Sequence, residues 1–245
     1  MNDKLQQIDT LLGELNQYRA NENYRITEAL EIEYTYDSNR IEGNTLTLHE
    51  TDMVVNKGIT IAGKGLREHL EAINHKEAID FIKDIAQKKE PISERVLLDI
   101  HAIVLHSIDK DNAGKYRRVP VIISGSKHIP PQPYLLQPQM DELFQWYEAN
   151  KDSMHPVVLA AQMHEKLVSV HPFIDGNGRT ARLVMNLILM QHGYPIANIK
   201  GDNETRRRYY ETLEEASSGD NSAFLEFIED VVIQSLTYYL KIIRG

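Results

Sequence analysis

Residues 171–182 read HPFIDGNGRTAR, and this stretch, together with the segments on either side, indicates both the fold and a functional site. It lies between two segments with helical periodicity, which we predict at residues 157–170 and 179–191. Gly176 and Gly178 let the loop turn sharply and let a ligand approach its N–H groups. The following helix directs its unpaired N–H groups and the positive end of its dipole back at the loop. We therefore predict an anion site at this junction.

Four side chains of the same stretch have chemistry suited to a nucleotide phosphate. Arg179 and Arg182 are neighbours on one helix face, and guanidinium groups match phosphate oxygens. Asp175 is a suitable ligand for Mg²⁺ that bridges phosphates, and His171 can remove a hydroxyl proton at neutral pH. Taken singly, such residues are more often a solvated arginine pair or a core histidine. Their occurrence together at one helix N-terminus predicts a phosphate site beside a general base.

The stretch resembles the signature of the Fic family, His-Pro-Phe-x-Asp/Glu-Gly-Asn-Gly-Arg-x-x-Arg, at every fixed position. The sequence GKYR at residues 114–117 also looks like a feature of the Fic core. This resemblance implies an all-α fold and an enzyme that transfers AMP from ATP to a Ser, Thr or Tyr hydroxyl of a protein. It further implies Mg²⁺ as the cofactor, and ATP and a protein of unknown identity as partners. Self-modification and a homodimer are also open.

The resemblance assigns roles to individual residues of the loop. His171 would be the general base on the target hydroxyl, and Asp175 would bind the metal. The phosphates would be held by five residues of the loop and helix: Gly176, Asn177, Gly178, Arg179 and Arg182. Kinases of the Doc type have lysine at the position of Gly178, so the glycine favours transfer of AMP over phosphorylation.

A second motif, SNRIEGN at residues 38–44, ends a predicted helix. By itself it indicates a helix C-terminus with Gly43 in the left-handed conformation. It also resembles the inhibitory motif Ser/Thr-x-x-x-Glu-Gly/Asn, in the class whose inhibitory helix precedes the Fic core. In that interpretation Glu42 pairs with Arg182 in place of the γ-phosphate, while Ser38 anchors the helix. ATP could still bind, but with its α-phosphate misaligned for attack.

Two alternatives to a regulated adenylyltransferase remain open. The carboxylate of Glu42 could instead position water, which would make the protein a hydrolase that removes AMP from a modified protein. A non-catalytic, nucleotide-sensing module is the other alternative. The presence of His171 and Asp175 argues against it, since a module that only binds nucleotide needs no base.

Helical periodicity covers most of the remaining chain, which predicts an all-α protein. We predict residues 1–60 to form N-terminal helices that include the inhibitory helix, and residues 61–245 to form the catalytic core, in a single compact unit. Further helices are predicted at residues 5–15, 27–41, 66–86, 93–105, 139–149 and 221–243. A helix is also expected to start near Glu211.

One β-hairpin is predicted, with strands at residues 119–123 and 127–129 around the turn Ser-Gly-Ser at 124–126. Prolines at 130, 131 and 133 end it. It resembles the flap that holds the target segment in Fic enzymes, and its exposed edge could add a target strand by main-chain hydrogen bonds. The residues expected to contact the target are Val121, Ile122 and Ile123. The pair Tyr209 and Tyr210 resembles the region that lines the adenine pocket.

The composition bounds the class of partner and the compartment. Acidic side chains outnumber basic ones by 36 to 27 in the 245 residues, so the chain carries a net charge of −9 and nucleic acid is not an expected partner. There is no cysteine, which excludes disulfides and thiolate zinc sites and suits a reducing cytoplasm. The N-terminus lacks a signal-peptide core, and no apolar stretch is long enough for a bilayer. We expect a cytoplasmic protein without a membrane partner.

Overall fold

The computed structural model describes residues 3–244, and ten α-helices form the framework of this part of the chain. Two short 3₁₀ turns, Arg19–Asn21 and Pro133–Leu135, connect them. The helices are α1 (Asp3–Tyr18), α2 (Tyr24–Ile41), α3 (Leu48–Lys57), α4 (Leu66–Lys88), α5 (Glu94–Val104), α6 (Leu136–Asn150), α7 (Pro156–Val170), α8 (Asn177–Gln191), α9 (Asn203–Ser217) and α10 (Ser222–Arg244). The prediction of an all-α protein is confirmed. Within residues 3–244, no helix combines the length and apolar character needed to cross a membrane.

Helix α8 lies at the centre of the fold. Twelve of its fifteen residues are buried, and α4, α5 and α7 all pack on it. A helix that is covered on all sides must carry few unpaired polar groups. Its buried Asn186 satisfies both ends of its amide on Ala197, since Nδ2 donates to the carbonyl at 3.1 Å and Oδ1 accepts from the N–H at 2.8 Å. This pairing fixes the segment that leads from α8 to α9.

Helix α2 is anchored by the segment that leads from α8 to α9. The Asp37 carboxylate accepts from the Gly201 N–H at 2.9 Å and from Asn198 Nδ2 at 2.7 Å. A Cβ at Gly201 would lie 2.9 Å from the Asp37 carbonyl oxygen, so only glycine allows this approach. The helix ends at Ile41 with Glu42 as its C-cap, and Gly43 follows in the left-handed conformation at φ +98°. Contacts outside the 171–182 stretch therefore also help to position the end of α2.

The predicted β-hairpin is wrong: no strand forms within residues 3–244, and residues 119–131 make an irregular loop with a turn at 124–125. Pro120, which lies inside the first predicted strand, has no N–H to donate, and neither do the prolines at 130 and 131. A side chain replaces the missing ladder, since Arg117 donates to the carbonyls of Val119 at 3.0 Å and Pro131 at 2.6 Å. The turn itself is held by Glu214, whose carboxylate accepts the Lys127 N–H at 2.9 Å.

Two helices differ from the prediction. Helix α3 was not predicted, although Thr47 and Glu50 form a capping box at its start, which is a recognisable signal. Helix α9 begins at Asn203, because the Asp202 side chain accepts the N–H groups of the first turn. Residues 206–210 consequently lie within α9 rather than before a helix near Glu211. The other helices agree with the prediction to within a few residues at each end.

Candidate active site

The loop between α7 and α8 is closed by its own side chains. His171 ends α7 in the left-handed region at φ +49°, and Gly176 begins α8 at φ +77°. Between them, the buried Asn177 accepts the Phe173 N–H at 3.0 Å and donates to the Phe173 carbonyl at 2.9 Å. The Asn177 side-chain amide is thus used within the loop, and the first N–H groups of α8 have no partner within the helix.

A histidine on α5, which was not identified from the sequence, also supports the loop between α7 and α8. His101 on α5 stacks on Phe173, with ring centroids 3.6 Å apart. Its Nε2 lies 3.0 Å from the Asp175 carbonyl oxygen and its Nδ1 lies 3.0 Å from the Gly114 nitrogen. A donor at Nε2 and an acceptor at Nδ1 satisfy both contacts with one neutral tautomer. Burial lowers the pKa of His101 to about 4, which keeps this tautomer neutral.

Asp175 carries the carboxylate predicted to bind metal. Its Oδ1 accepts the Gly176 N–H at 2.6 Å and lies 3.4 Å from Nη2 of Arg179, and its Oδ2 pairs with Arg67. Burial alone would raise the pKa of Asp175, but Arg179, the Gly176 N–H and Arg67 together lower it below its usual range. An ionised carboxylate is what Mg²⁺ requires. In the described residues no cluster of three His, Cys, Asp or Glu could hold a metal by itself.

Arg179 is buried with donors unused. Its side chain is 3% exposed, and its Nε and Nη1 have no hydrogen-bond partner in the part of the chain that is described. Nη1 lies 3.5 Å from a carboxylate oxygen of Glu71, an ion pair without a hydrogen bond. Unpaired donors on a buried guanidinium are unfavourable, so this arrangement favours a ligand with acceptor oxygens. Phosphate supplies such oxygens.

Arg182 is also buried, and its Nε and Nη2 pair with the end of α2. Its Nε donates to Ser38 Oγ at 3.0 Å, and its Nη2 donates to the Ser38 carbonyl at 2.9 Å and to Glu42 Oε1 at 2.8 Å. Burial would lower the pKa of Arg182, but the charge of Glu42 and the oxygens of Tyr209 and Tyr34 outweigh it and raise the pKa. The structure thus brings Ser38, Glu42 and Arg182 together.

Gly178 makes the approach of Glu42 feasible. A Cβ at this position would clash with Glu42 Oε1 and would lie 3.0 Å from Nη1 of Arg182. The glycine has no positive φ, so its role is space rather than backbone freedom. A lysine at this position, as in the Doc-type kinases, would compete with Glu42 for the same volume.

His171 is a neutral base in this environment. Burial lowers the pKa of its imidazole to about 4, and the nearby charge of Arg117 acts in the same direction. A general base must be unprotonated to accept a proton, so this condition is met at neutral pH. The Arg117 guanidinium also holds the backbone of His171, with Nε 2.9 Å from the His171 carbonyl oxygen.

The two tyrosines of the predicted adenine pocket occupy different environments. Tyr209 is 1% exposed; its hydroxyl lies 3.0 Å from His164 Nε2 and 3.4 Å from Nη1 of Arg182. Tyr210 is 42% exposed, and its hydroxyl donates to the Ile41 carbonyl at 3.1 Å. Of the two, only Tyr210 is exposed to solvent, and Tyr209 instead supports Arg182. Of the predicted target-contacting residues, Ile122 is exposed, whereas Val121 and Ile123 are half-buried.

Comparison with known proteins places this geometry in a family. The structure of Fic-1 (aa134–508) from C. elegans is 31% identical to this chain, with a TM-score of 0.87, and the alignment covers 98% of this chain and 72% of that one. The sequence model of the Fic/DOC family matches residues 91–189. This chain belongs to the Fic/DOC family. A Fic domain containing signaling protein from Bacteroides thetaiotaomicron superposes with a TM-score of 0.88 at 28% identity, covering 99% of this chain and 97% of that one.

Curated Fic proteins are also similar in sequence. The protein adenylyltransferase Fic of Nematostella vectensis is 39% identical over 210 residues, which are 85% of this chain and 48% of that protein. The protein adenylyltransferase Fic of Culex quinquefasciatus is 39% identical over 211 residues, which are 85% of this chain and 41% of that protein. The chain therefore spans about half the length of the curated Fic relatives that it matches.

Proposed function

We propose that this Fic protein transfers AMP from ATP to a Ser, Thr or Tyr hydroxyl of a protein, with pyrophosphate as the leaving group, and that Glu42 inhibits the transfer. One observation carries the proposal: neutral His171 begins the loop that leads into α8, and the first turns of α8 carry two buried guanidinium groups, one with unused donors and one paired with Glu42. The names of the curated relatives support the same reaction, since they are protein adenylyltransferases.

The chemistry follows from the positions of the base and the cations. His171 accepts the proton of the target hydroxyl, whose oxygen then forms a bond to the α-phosphorus of ATP. The bond from that phosphorus to the oxygen of the β-phosphate breaks, and pyrophosphate leaves with the negative charge. Arg179 and Arg182 stabilise this charge as it develops. Mg²⁺, held by Asp175 together with the phosphates, would neutralise further charge on them.

Inhibition follows from competition for one guanidinium. The Nη2 of Arg182 already donates to Glu42 Oε1 and the Ser38 carbonyl, so a γ-phosphate finds this donor occupied. The glutamate also adds a negative charge beside the expected phosphate position, which repels the nucleotide. ATP that binds without Arg182 would have its α-phosphate displaced from the line of attack, and displacement of about 1 Å can reduce a rate by roughly 10²-fold.

The proposal extends to the ends of the site. The exposed ring of Tyr210 is the better candidate of the two tyrosines for contact with adenine, and the 119–131 loop is the candidate contact for the target protein. Because the chain has no cysteine, a reducing compartment such as the cytoplasm suits it, and we propose that location.

Labelled ATP tests the reaction. The purified Glu42→Gly variant is incubated with Mg²⁺ and ATP labelled at the α-phosphate or, separately, at the γ-phosphate. We expect label on the protein only from the α position, and none in the matched variant that also carries His171→Ala. Label from the γ position alone would show phosphorylation instead. Label from neither position, in a variant that binds ATP, would contradict the proposed transfer.

A further inference from the structure

Within the part of the chain that is described, the guanidinium of Arg117 is buried without a countercharge and donates only to backbone carbonyls. The residue is 3% exposed and makes no ion pair with a carboxylate of residues 3–244. It donates to the carbonyls of His171 at 2.9 Å, Val119 at 3.0 Å and Pro131 at 2.6 Å. Its own N–H donates to the Pro172 carbonyl at 2.9 Å. Arg117 lies in the GKYR sequence, which the proposed reaction does not otherwise use.

These contacts join three parts of the active site at one point. Val119 and Pro131 lie at the two ends of the 119–131 loop, and His171 carries the general base. A planar guanidinium with five N–H donors can hold three carbonyls in a fixed relation, which the single ammonium of lysine cannot reproduce. Burying such a charge without a carboxylate is unfavourable, so stability alone does not account for it.

The backbone of His171 depends on external support. Its φ of +49° lies in the left-handed region, which a residue other than glycine seldom adopts. The hydrogen bonds from Arg117 to the carbonyls of His171 and of Pro172, the next residue, hold the backbone that follows the imidazole.

We propose that Arg117 is a positioning residue that sets the geometry between the general base and the target-contacting loop. The inference rests on the proposed transfer reaction and adds a residue to it. The phosphate groups are held by α8 and are not contacted by Arg117. Loss of the guanidinium should therefore slow the transfer step without weakening the binding of ATP. A misplacement of about 1 Å corresponds to a loss of roughly 10²-fold in rate.

The charge of Arg117 has a second, separable effect. It contributes to the lowered pKa of His171, so its removal should raise that pKa. Because the base acts only when unprotonated, the acid limb of the rate profile should move to higher pH. Arg117→Lys retains the charge but loses most of the carbonyl contacts, whereas Arg117→Gln loses the charge as well. The two variants thus separate geometry from electrostatics.

The experiment compares Arg117→Gln, Arg117→Lys and the matched control Arg118→Gln, an exposed neighbour, all in the Glu42→Gly protein. The initial rate of self-modification by α-labelled ATP is measured against ATP concentration and pH, and calorimetry measures ATP binding. We expect roughly 10²-fold slower transfer for both Arg117 variants, with unchanged affinity for ATP. The acid limb should shift upward only in Arg117→Gln, and Arg118→Gln should match the parent.

The outcomes distinguish this inference from the proposed function. If the Glu42→Gly parent is not labelled, the proposed transfer itself fails. If the parent is labelled and both Arg117 variants react at its rate, the positioning role is wrong. A loss of rate that merely follows a loss of ATP affinity would also overturn it, because it would indicate general structural damage. If Arg117→Gln does not fold, Arg117→Lys decides: a rate equal to that of the parent contradicts the proposal.

Discussion

Arg182 donates a hydrogen bond from Nη2 to Oε1 of Glu42 over 2.8 Å, although 140 residues separate them in sequence. The guanidinium is 1% exposed and the carboxylate is one-third exposed, so this pair is screened less by solvent than a surface ion pair. Ser38 adds two further acceptors to the same guanidinium. The arrangement ties the end of α2 to the helix that carries the residues proposed to bind phosphate.

The first prediction concerns the carboxylate of Glu42. Glu42→Gly should increase self-modification about 10- to 100-fold, because hydrogen bonds to charged groups contribute about 1.5–3 kcal/mol. Glu42→Gln retains an acceptor oxygen without the charge, so its rate should lie between those of the wild-type and glycine proteins. The measurement is the initial rate of labelling from α-labelled ATP. Equal rates for the three proteins would remove Glu42 from the role of inhibitor.

The second prediction concerns Arg67, whose guanidinium pairs with Asp175 Oδ2 at the expected metal position. Arg67→Gln should lower the Mg²⁺ concentration needed for half-maximal labelling by about two- to fivefold, since an exposed ion pair contributes up to about 1 kcal/mol. Binding of Mn²⁺ in the presence of ATP, measured by electron paramagnetic resonance, should become tighter as well. Arg95→Gln, at an exposed arginine of α5, is the matched control.

Asp175→Asn should weaken Mn²⁺ binding, and an unchanged affinity would remove Asp175 as a ligand.

The third prediction concerns Asp37, which anchors α2 to the segment between α8 and α9. Asp37→Ala removes the contacts with Asn198 and Gly201 and should loosen the helix that carries Glu42. Two hydrogen bonds of about 1 kcal/mol each allow up to roughly a 30-fold rise in labelling. The rise should be present in the chain that has Glu42 and absent from the Glu42→Gly chain. The same change in both backgrounds would show that Asp37 does not act through Glu42.

Parts of the site with local sequence patterns could be predicted. The HPFIDGNGRTAR stretch fixes both flanking helices and the loop, and the contact between Glu42 and Arg182 that the family resemblance implies is present in the structure. Arg67 and His101 could not be found in this way, and the GKYR resemblance marked Arg117 without indicating its contacts. Each reaches the 171–182 loop from at least 54 residues away, and none has a characteristic spacing to the loop.

The error in the 119–131 loop has a physical cause. Counting β-branched residues indicated a strand, but strand pairing needs N–H donors, and Pro120 lacks one. The interpretation of Tyr209 is a related case. The residue resembles one that lines the adenine pocket, but it is buried and its hydroxyl contacts Arg182 from within the core. Helix caps such as Asp202 were available in the sequence and would have placed the start of α9.

The fourth prediction is a loss of stability at mildly acidic pH. Burial lowers the pKa of His101 and His171 to about 4 and that of His164 to about 3, from an ordinary value of 6.5. The unfolded chain therefore takes up these protons first as the pH falls. The free energy of unfolding that these neutral histidines contribute is fully present above about pH 6.5. It is lost as the pH falls from 6.5 to 4, by up to about 1.4 kcal/mol per histidine per pH unit.

Thermal unfolding between pH 7 and pH 5 measures this dependence. His101→Asn should lower the melting temperature at pH 7 but flatten its dependence on pH, because one proton-linked group is removed. His49→Gln, at an exposed position of α3, should leave the slope unchanged. A His101→Asn profile parallel to that of the wild-type protein would contradict the assignment of this proton uptake to His101.

The most direct test is the intact mass of the protein after incubation with ATP and Mg²⁺. We predict that Glu42→Gly gains one or more AMP groups, that the wild-type protein gains far less in the same time, and that the variant carrying both Glu42→Gly and His171→Ala gains none. A Glu42→Gly protein that binds ATP yet keeps its original mass, or one that gains only phosphate, would contradict AMP transfer controlled by Glu42.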